Sequence, residues 1–270
     1  MQVNFFKPYN VSQLSAKKQE NTAAVNNTSF GSITRIVTTP AGEMLYRNNS
    51  NFFRCDLDWS KAADYIIQKF PDGTKIRSFA CSDGSEPYSL AMILIDRLGL
   101  NQAKKYFPIM ANDVDNDMIA KAKKGILFID YIDIILSLKN LKNLTMGDFF
   151  KKSVEVNKAS RKSGYFELRD VVKDTVQFAR ADALAVAQNN PIPSIVLARN
   201  FLPYLPQAKR SALIETIASK MPKNGLLSLG RYDFNGDACS AYSSQYLTTC
   251  LKANNFKELN NLYNTFTKIG

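Results

Sequence analysis

Chemistry is densest in Phe79-Ala80-Cys81-Ser82-Asp83-Gly84-Ser85-Glu86-Pro87-Tyr88-Ser89-Leu90, where small and acidic residues join a short apolar run to a helical one. Open α/β sheets build their cofactor sites at such places, beyond the C-terminal end of a strand. Acidic and small residues there suit a cofactor that carries a cation and hydroxyls better than one that carries a pyrophosphate. The turn offers only Gly84, so there is no G-x-G-x-x-G, and the chain has no G-x-x-x-x-G-K-[ST]. Both absences argue against dinucleotide and nucleoside triphosphate chemistry. Histidine is missing altogether, which removes Ser-His-Asp triads, imidazole acid/base steps and mixed Cys/His metal sites. Cys55, Cys81, Cys239 and Cys250 lack paired spacing, which argues against a disulfide framework or a zinc site. The expectation is therefore no metal, with chemistry carried by carboxylates, Tyr, Lys, Cys, backbone or a cofactor.

The elements that must hold these residues follow from periodicity. Ala62–Phe70 reads as a helix closed by Pro71-Asp72-Gly73, and Lys75–Ala80 as the first strand. Glu86–Leu98 reads as a helix with Pro87 in its first turn, where proline is tolerated, and with Gly99 as its stop. Phe107–Ala111 is a second strand and Asp115–Lys124 a second helix, stopped by Gly125. Thr175–Ala179, Ser194–Ala198, Leu226–Leu229 and Leu262–Thr267 read as further strands, with helices over Gln207–Met221 and Tyr242–Ala253. Strands alternating with helices predict a mostly parallel, doubly wound sheet. The segment from about 130 to 175 breaks that rhythm. It reads as a small insertion of lysine-rich loops with one or two short strands, at Tyr165–Leu168 and Arg169–Val172. Residues 1–42 are rich in Asn, Ser, Thr and Ala without a hydrophobic period, and are expected to form a flexible tail before a domain over 43–270.

The 270 residues carry a net charge of +11. Part of the excess is local: residues 121–163 hold ten Lys/Arg against four acids. That segment reads either as a solvated face or as a docking surface for an acidic partner. No apolar run is long enough to span a membrane. The first residues have neither the charged lead nor the apolar core of a signal peptide, so a cytoplasmic location is expected.

Several blocks, in order, resemble the chemotaxis receptor (protein-glutamate) O-methyltransferase family. Cys81-Ser82-Asp83-Gly84-Ser85-Glu86-Pro87-Tyr88-Ser89 is similar to its small-residue turn followed by Gly-Glu-Glu-Pro-Tyr-Ser. Asn49-Ser50-Asn51-Phe52-Phe53-Arg54 resembles its Thr-x-Phe-Phe-Arg. Ala111-Asn112-Asp113-Val114-Asp115 resembles Ala-Ser/Thr-Asp-Ile-Asp, and Ala198-Arg199-Asn200-Phe201-Leu202-Pro203-Tyr204 resembles Cys-Arg-Asn-Val-x-Ile-Tyr. Pro222-Lys223-Asn224-Gly225 resembles its Lys-Pro-Gly-Gly turn. The agreement runs from about residue 48 to the end. It implies a Rossmann-like S-adenosylmethionine-dependent methyltransferase fold, with helices on both faces of the sheet. The family's basic N-terminal helical domain has no counterpart in residues 1–47. Ser85 stands where its first acid would be, and Gly230-Arg231-Tyr232-Asp233 replaces Gly-His-Ser-Glu.

The resemblance implies roles residue by residue. Asp113 would accept hydrogen bonds from ribose hydroxyls, or simply cap the next helix. Glu86 would face the methionine ammonium, or supply first-turn charge. Cys81 and Ser82 would let the cofactor approach the backbone. Ser50 belongs to the cofactor set, and Arg54 would meet a carboxylate of the cofactor or substrate. Asp182 would accept from the adenine amino group, or cap a helix near Ala183. Asn200 would sit near the reacting centre, while Arg199 and Tyr204 would line the acceptor pocket, Arg199 facing an acceptor carboxylate.

The implied activity is methyl transfer from S-adenosylmethionine to a carboxylate of a protein glutamate, with an acidic segment or receptor-like protein as partner. A carboxylate is already ionised near neutral pH and needs no strong base; Tyr204 and Asp233 are the candidates if a base is needed. The alternatives are another small-molecule acceptor and a degenerate cofactor-binding or adaptor protein of the same fold. Specific nucleic-acid binding is disfavoured, because no Asn/Asp-Pro-Pro-Tyr motif and no basic stripe interleaved with aromatics is present.

Overall fold

The computed structural model describes residues 35–38, 44–48, 50–151, 163–235 and 244–270. β1 (Arg35–Thr38) and β2 (Met44–Asn48) form an antiparallel pair. Apart from β1, the tail expected over 1–42 lies outside the described residues.

From Trp59 to Asn235 strands and helices alternate. The order is α1 (Trp59–Lys69), β3 (Ile76–Phe79), α2 (Ser85–Ala103), β4 (Ile109–Asp113), α3 (Asn116–Lys124), β5 (Ile126–Ile129), α4 (Tyr131–Asn140), β6 (Gly164–Glu167) and α5 (Asp170–Lys173). There follow β7 (Val176–Arg180), α6 (Ala183–Asn189), β8 (Ile195–Leu197), α7 (Gln207–Lys220), β9 (Leu226–Ser228), α8 (Arg231–Asn235), α9 (Ser244–Ala253), β10 (Phe256–Leu259) and β11 (Leu262–Lys268). Seven strands make one sheet in the order β10-β11-β9-β8-β3-β4-β7, parallel except for β11, which runs antiparallel to both neighbours. This is the expected Rossmann-like architecture. The first strand of the alternation, β3, lies in its interior between β4 and β8.

Burial on both faces explains why the central strands read as unbroken apolar runs. Ile195 and Leu197 of β8 pack with α1 and α2 on one face, while Val196 packs with α6 and α7 on the other. Gly84, at φ +88°, sets the approach of α2: a Cβ there would lie 2.8 Å from the Phe178 ring of β7. Gly99 breaks helical geometry at φ 70°, ψ 157°, where a stop was expected. Asp115 caps α3 by accepting from the Asp117 and Met118 N–H groups, and Gly125 ends it at φ 63°.

The insertion differs from its expectation. A ten-residue helix, α4, occupies the stretch read as loop, and Asp170–Lys173 is the short helix α5, not a strand. Asp130 and Asp133 form a reciprocal capping box at the start of α4. Ile132, Ile135 and Leu138 point to solvent, so the apolar residues surround the helix and hide its period. β5 pairs with β6 as a separate antiparallel sheet. Asp96 of α2 fastens this region to the core, its buried carboxylate accepting from the backbone N–H of Lys142 (2.9 Å), Asn143 (2.7 Å) and Leu144 (2.7 Å), and from Arg97. Arg97 in turn reaches Asp64, Ser60 and the Asn140 carbonyl.

Candidate functional site

The loops beyond the C-terminal ends of β3, β4, β7 and β8 enclose a cleft of about 930 Å³, part of it open to solvent. Of the residues singled out above as cofactor-binding or catalytic, Ser50, Arg54, Cys81, Ser82, Glu86, Asp113, Asp182, Arg199, Asn200 and Tyr204 line it and Asp233 does not.

The turn after β3 bends sharply, with Ala80 at φ 50° and Ser82 at φ 51°. Positive φ at a residue with a Cβ is uncommon and needs support from its surroundings. Asp113 gives it: its Oδ2 accepts from the Ser82 N–H at 2.8 Å and its Oδ1 from the Asp115 N–H at 2.9 Å. The carboxylate thus stands at the tip of β4 and ties the two loops together. Burial raises its pKa, against the pull of those two N–H groups. Beside it, Asn112 gives its amide N–H to the Ala181 carbonyl, while its buried Oδ1 finds no hydrogen-bond partner among the described residues. An orphaned buried acceptor on a cleft wall calls for a ligand donor.

Cys81 is buried, and burial, then the charges of Asp113, Glu86 and Asp83, push its thiol well up. It is a small packed residue rather than a nucleophile. Ser85 is also buried, and its hydroxyl bonds to Asp83 at 2.8 Å.

Arg199 sits beneath the cleft. One terminal nitrogen meets Glu86 Oε2 at 3.1 Å, the other meets Asp56 Oδ1, and its guanidinium lies 5.0 Å from the Trp59 ring centroid. This corrects the expectation that Arg199 faces an acceptor carboxylate: the two carboxylates it meets are the protein's own. Asp56, which sequence reasoning passed over, also accepts from Asn200 Nδ2 at 2.8 Å and the Arg231 N–H at 3.1 Å, and lies 3.8 Å from Arg54 Nε. Burial works to raise its carboxyl, but Arg199 and then Arg54 outweigh it and hold it below the usual range. Glu86 is raised by burial, which Arg199 opposes and Asp56 reinforces; its Oε1 accepts from Ser78 at 3.1 Å.

Asn200, at φ 62°, is fixed through both ends of its amide: Nδ2 to Asp56 and Oδ1 from the Tyr232 N–H at 3.0 Å. Gly230 leaves room for it, since a Cβ there would come within 2.2 Å of that amide. Asp233 is fully buried and accepts from three backbone N–H groups, Asn200 (2.6 Å), Gly230 (2.7 Å) and Leu202 (3.0 Å). Burial pushes its carboxyl up to about 7, against the pull of those donors. It shapes the loop after β8 and has no access to a substrate, which corrects its candidacy as a base. Tyr232 lies under Arg54, ring centroid to guanidinium 5.0 Å. Asp182 caps α6 through the Ala185 N–H at 3.0 Å and also lines the cleft.

Two negative carboxylates around one shared guanidinium, an ionised acceptor at a strand tip and a partnerless amide oxygen suit a ligand with a cation, hydroxyls and amino hydrogens. S-adenosylmethionine has all three, and the residues present fit it. Asp56 and Asn112 are the site residues missed in the sequence. An acid two positions after Phe-Phe-Arg, and an Asn beside the strand-end Asp, were their only local signals.

Among the described residues no group of three or more His, Cys, Asp or Glu is placed to hold a metal, and no helix is long and apolar enough to cross a membrane. Of the basic residues in the insertion, Lys142 pairs with Asp64, and Lys151 with Glu167 and Asp170. Lys121, Lys123, Lys124 and Lys139 are exposed, and Lys152, Lys158, Arg161 and Lys162 lie outside the described residues.

Residues 48–235 match the family model described as CheR methyltransferase, SAM binding domain. Chemotaxis protein methyltransferase 2 of Vibrio cholerae is 28% identical over 171 residues, which cover 62% of this chain and 54% of that protein. Chemotaxis protein methyltransferase of Escherichia coli K12 is 27% identical over 187 residues, 69% and 60% of the two chains. A probable chemotaxis protein methyltransferase of Rhizobium etli is 25% identical over 235 residues, 82% and 83%. The matched part thus spans little more than half the length of the first two relatives.

Proposed function

Starting from the fact that this chain belongs to the CheR methyltransferase family and carries its S-adenosylmethionine-binding domain, we propose that it transfers a methyl group to a carboxylate, most specifically a glutamate side chain of a protein. One observation carries the choice of acceptor. The chain has no histidine, and the acids around the cleft are already engaged. Asp233 is fully buried on three backbone N–H groups, and Asp56 and Glu86 share Arg199. An amine or hydroxyl acceptor needs a base to take its proton, whereas a carboxylate arrives ionised.

Bound S-adenosylmethionine supplies a methyl group on a sulfonium, the electrophile. In this reading Asp113 holds the ribose hydroxyls, Glu86 the ammonium, and Asn112 and Asp182 the adenine side. Ser50, Cys81 and Ser82 give the close wall. Arg54, stacked on Tyr232 at the cleft, orients the incoming carboxylate, with Tyr204 beside it. Asn200, locked by Asp56 and Tyr232, defines the distance between the two reactants. Placement of this kind supplies much of the rate in a direct displacement. The exposed lysines of α3 and α4 favour an acidic segment of the partner, in keeping with the chemotaxis relatives.

The deciding experiment incubates the chain with methyl-labelled S-adenosylmethionine and a glutamate-rich peptide. Label released by mild alkali as volatile methanol is expected, because carboxyl methyl esters hydrolyse where methylamines and methyl ethers do not. Alkali-stable label would refute the carboxylate acceptor. Cofactor binding with no transfer to any acidic peptide or protein would favour a binding module.

A further inference from the structure

Asp56 touches both sides of the cleft. Through Arg199 it reaches Glu86, and through Asn200 Nδ2 and the Arg231 N–H it reaches the loops after β8 and β9. Its side chain is 6% exposed and that of Arg199 is 0% exposed, so their charges meet in a poorly screened place. Arg199 carries one positive charge and divides it between two carboxylates. Arg54, 3.8 Å from Asp56 and partly in solvent, adds a second and weaker cation on the Asp56 side. Glu86 is thus left with only part of the Arg199 charge, and of the two carboxylates it is the one that faces the cleft.

Neutralising Asp56 would change this division. Arg199, no longer drawn to a charge at position 56, would turn its charge wholly to Glu86. We infer that Asp56 is a positioning residue that, by taking half of Arg199, leaves the Glu86 carboxylate incompletely neutralised by that guanidinium and so able to meet the ammonium of the cofactor. This rests on the reading of Glu86 as the ammonium's partner, and it assigns a function in cofactor affinity to a residue outside the cleft lining.

A merely structural Asp56 would affect every ligand of the cleft alike, so the test compares ligands. S-adenosylhomocysteine has the amino-acid portion; 5′-methylthioadenosine has the same adenosine and sulfur without ammonium or carboxylate. Calorimetric titration of the full chain is made on wild type, Asp56→Asn, Glu86→Gln and the double variant. Asp56→Asn should weaken S-adenosylhomocysteine about tenfold, the size of a lost charge partner at a buried site. Its 5′-methylthioadenosine affinity should stay within about twofold, and in the Glu86→Gln background the substitution should change S-adenosylhomocysteine affinity by less than about twofold. Wild-type affinity in Asp56→Asn, equal losses for both ligands, or additive losses with Glu86→Gln would each overturn the inference. Wild type that binds neither ligand would overturn the cofactor reading itself, and this one with it. If Asp56→Asn fails to fold by circular dichroism, Asp56→Glu takes its place. It keeps the charge and should bind S-adenosylhomocysteine within about threefold of wild type, and a tenfold loss there would count against the idea.

Discussion

Two buried carboxylates in this molecule do the same local work with different results. Asp96 takes three successive backbone N–H groups of residues 142–144 together with Arg97, and Asp233 takes three from the loops around Asn200 and Gly230. Around Asp96 the donors and acceptors close on one another and join α1, α2 and the insertion. Around Asp233 they do not close: the neighbouring Arg199 Nε has no partner among the described residues, and Asp56 and Glu86 divide the Arg199 charge beside a cleft. A carboxylate that gathers backbone N–H groups is a fastening in both places. What separates scaffold from site is the polar capacity left unfilled nearby.

That contrast can be broken at several points. The greatest loss is expected from Asp96→Ala, which strands three N–H groups and Arg97: about 3–5 kcal/mol by urea unfolding. Where it folds, its S-adenosylhomocysteine affinity should remain within about threefold, since its effects lie far from the cleft. A comparable loss of affinity would erase the distinction between the two hubs. Asp113→Ala should do the reverse, weakening cofactor binding by about a hundredfold through two charge-assisted bonds, with a smaller stability cost, both read by calorimetry. Gly230→Ala comes next. Its methyl must displace the Asn200 amide, costing about 1–3 kcal/mol of stability, and methyl transfer should fall further than cofactor affinity does.

The pH dependence sharpens the comparison. The Asp233 pKa of about 7 stands above its unfolded value. Between about pH 4 and 7 the folded state therefore holds more protons than the unfolded one, and this group's stability contribution is lost as pH rises. Asp133, also raised to about 7 by burial, acts in the same direction. Asp233→Asn should flatten the fall in melting temperature across that window, leaving the part due to Asp133; an unchanged slope would contradict it. The smallest effect belongs to the surface cluster of Lys151, Lys173, Glu167 and Asp170, where Glu167→Gln should shift the melting temperature by no more than about 2 °C.

Most of the site was legible because its residues lie at strand ends in chain order, where an α/β sheet must place them. Asp113, Glu86 and Asn200 needed only the strand assignments and the family pattern. Asp56 was not legible, because its importance comes from Arg199, which lies 143 residues away in the chain. Arg199 was found but misread for the same reason: a sequence shows a charge, not what has already neutralised it. Asp233 looked like a base until three backbone donors were seen around it. In the fold, α4 was lost because Ile132, Ile135 and Leu138 face solvent and remove the amphipathic period, although Asp130 and Asp133 had the spacing of a capping box. β10 was missed because Lys257 and Glu258 make it a short, polar edge strand.

Trp59 is the chain's single tryptophan. It is buried, donates from its indole nitrogen to the Arg54 carbonyl at 2.9 Å, and lies against the guanidinium of Arg199. Indole emission shifts with the electric field across the ring, so the molecule contains its own optical probe at the cleft floor. Any redistribution of the Arg199 charge, whether by a ligand's arrival or by a substitution at Asp56, is placed to register as a change in colour and yield of one fluorophore, without a label.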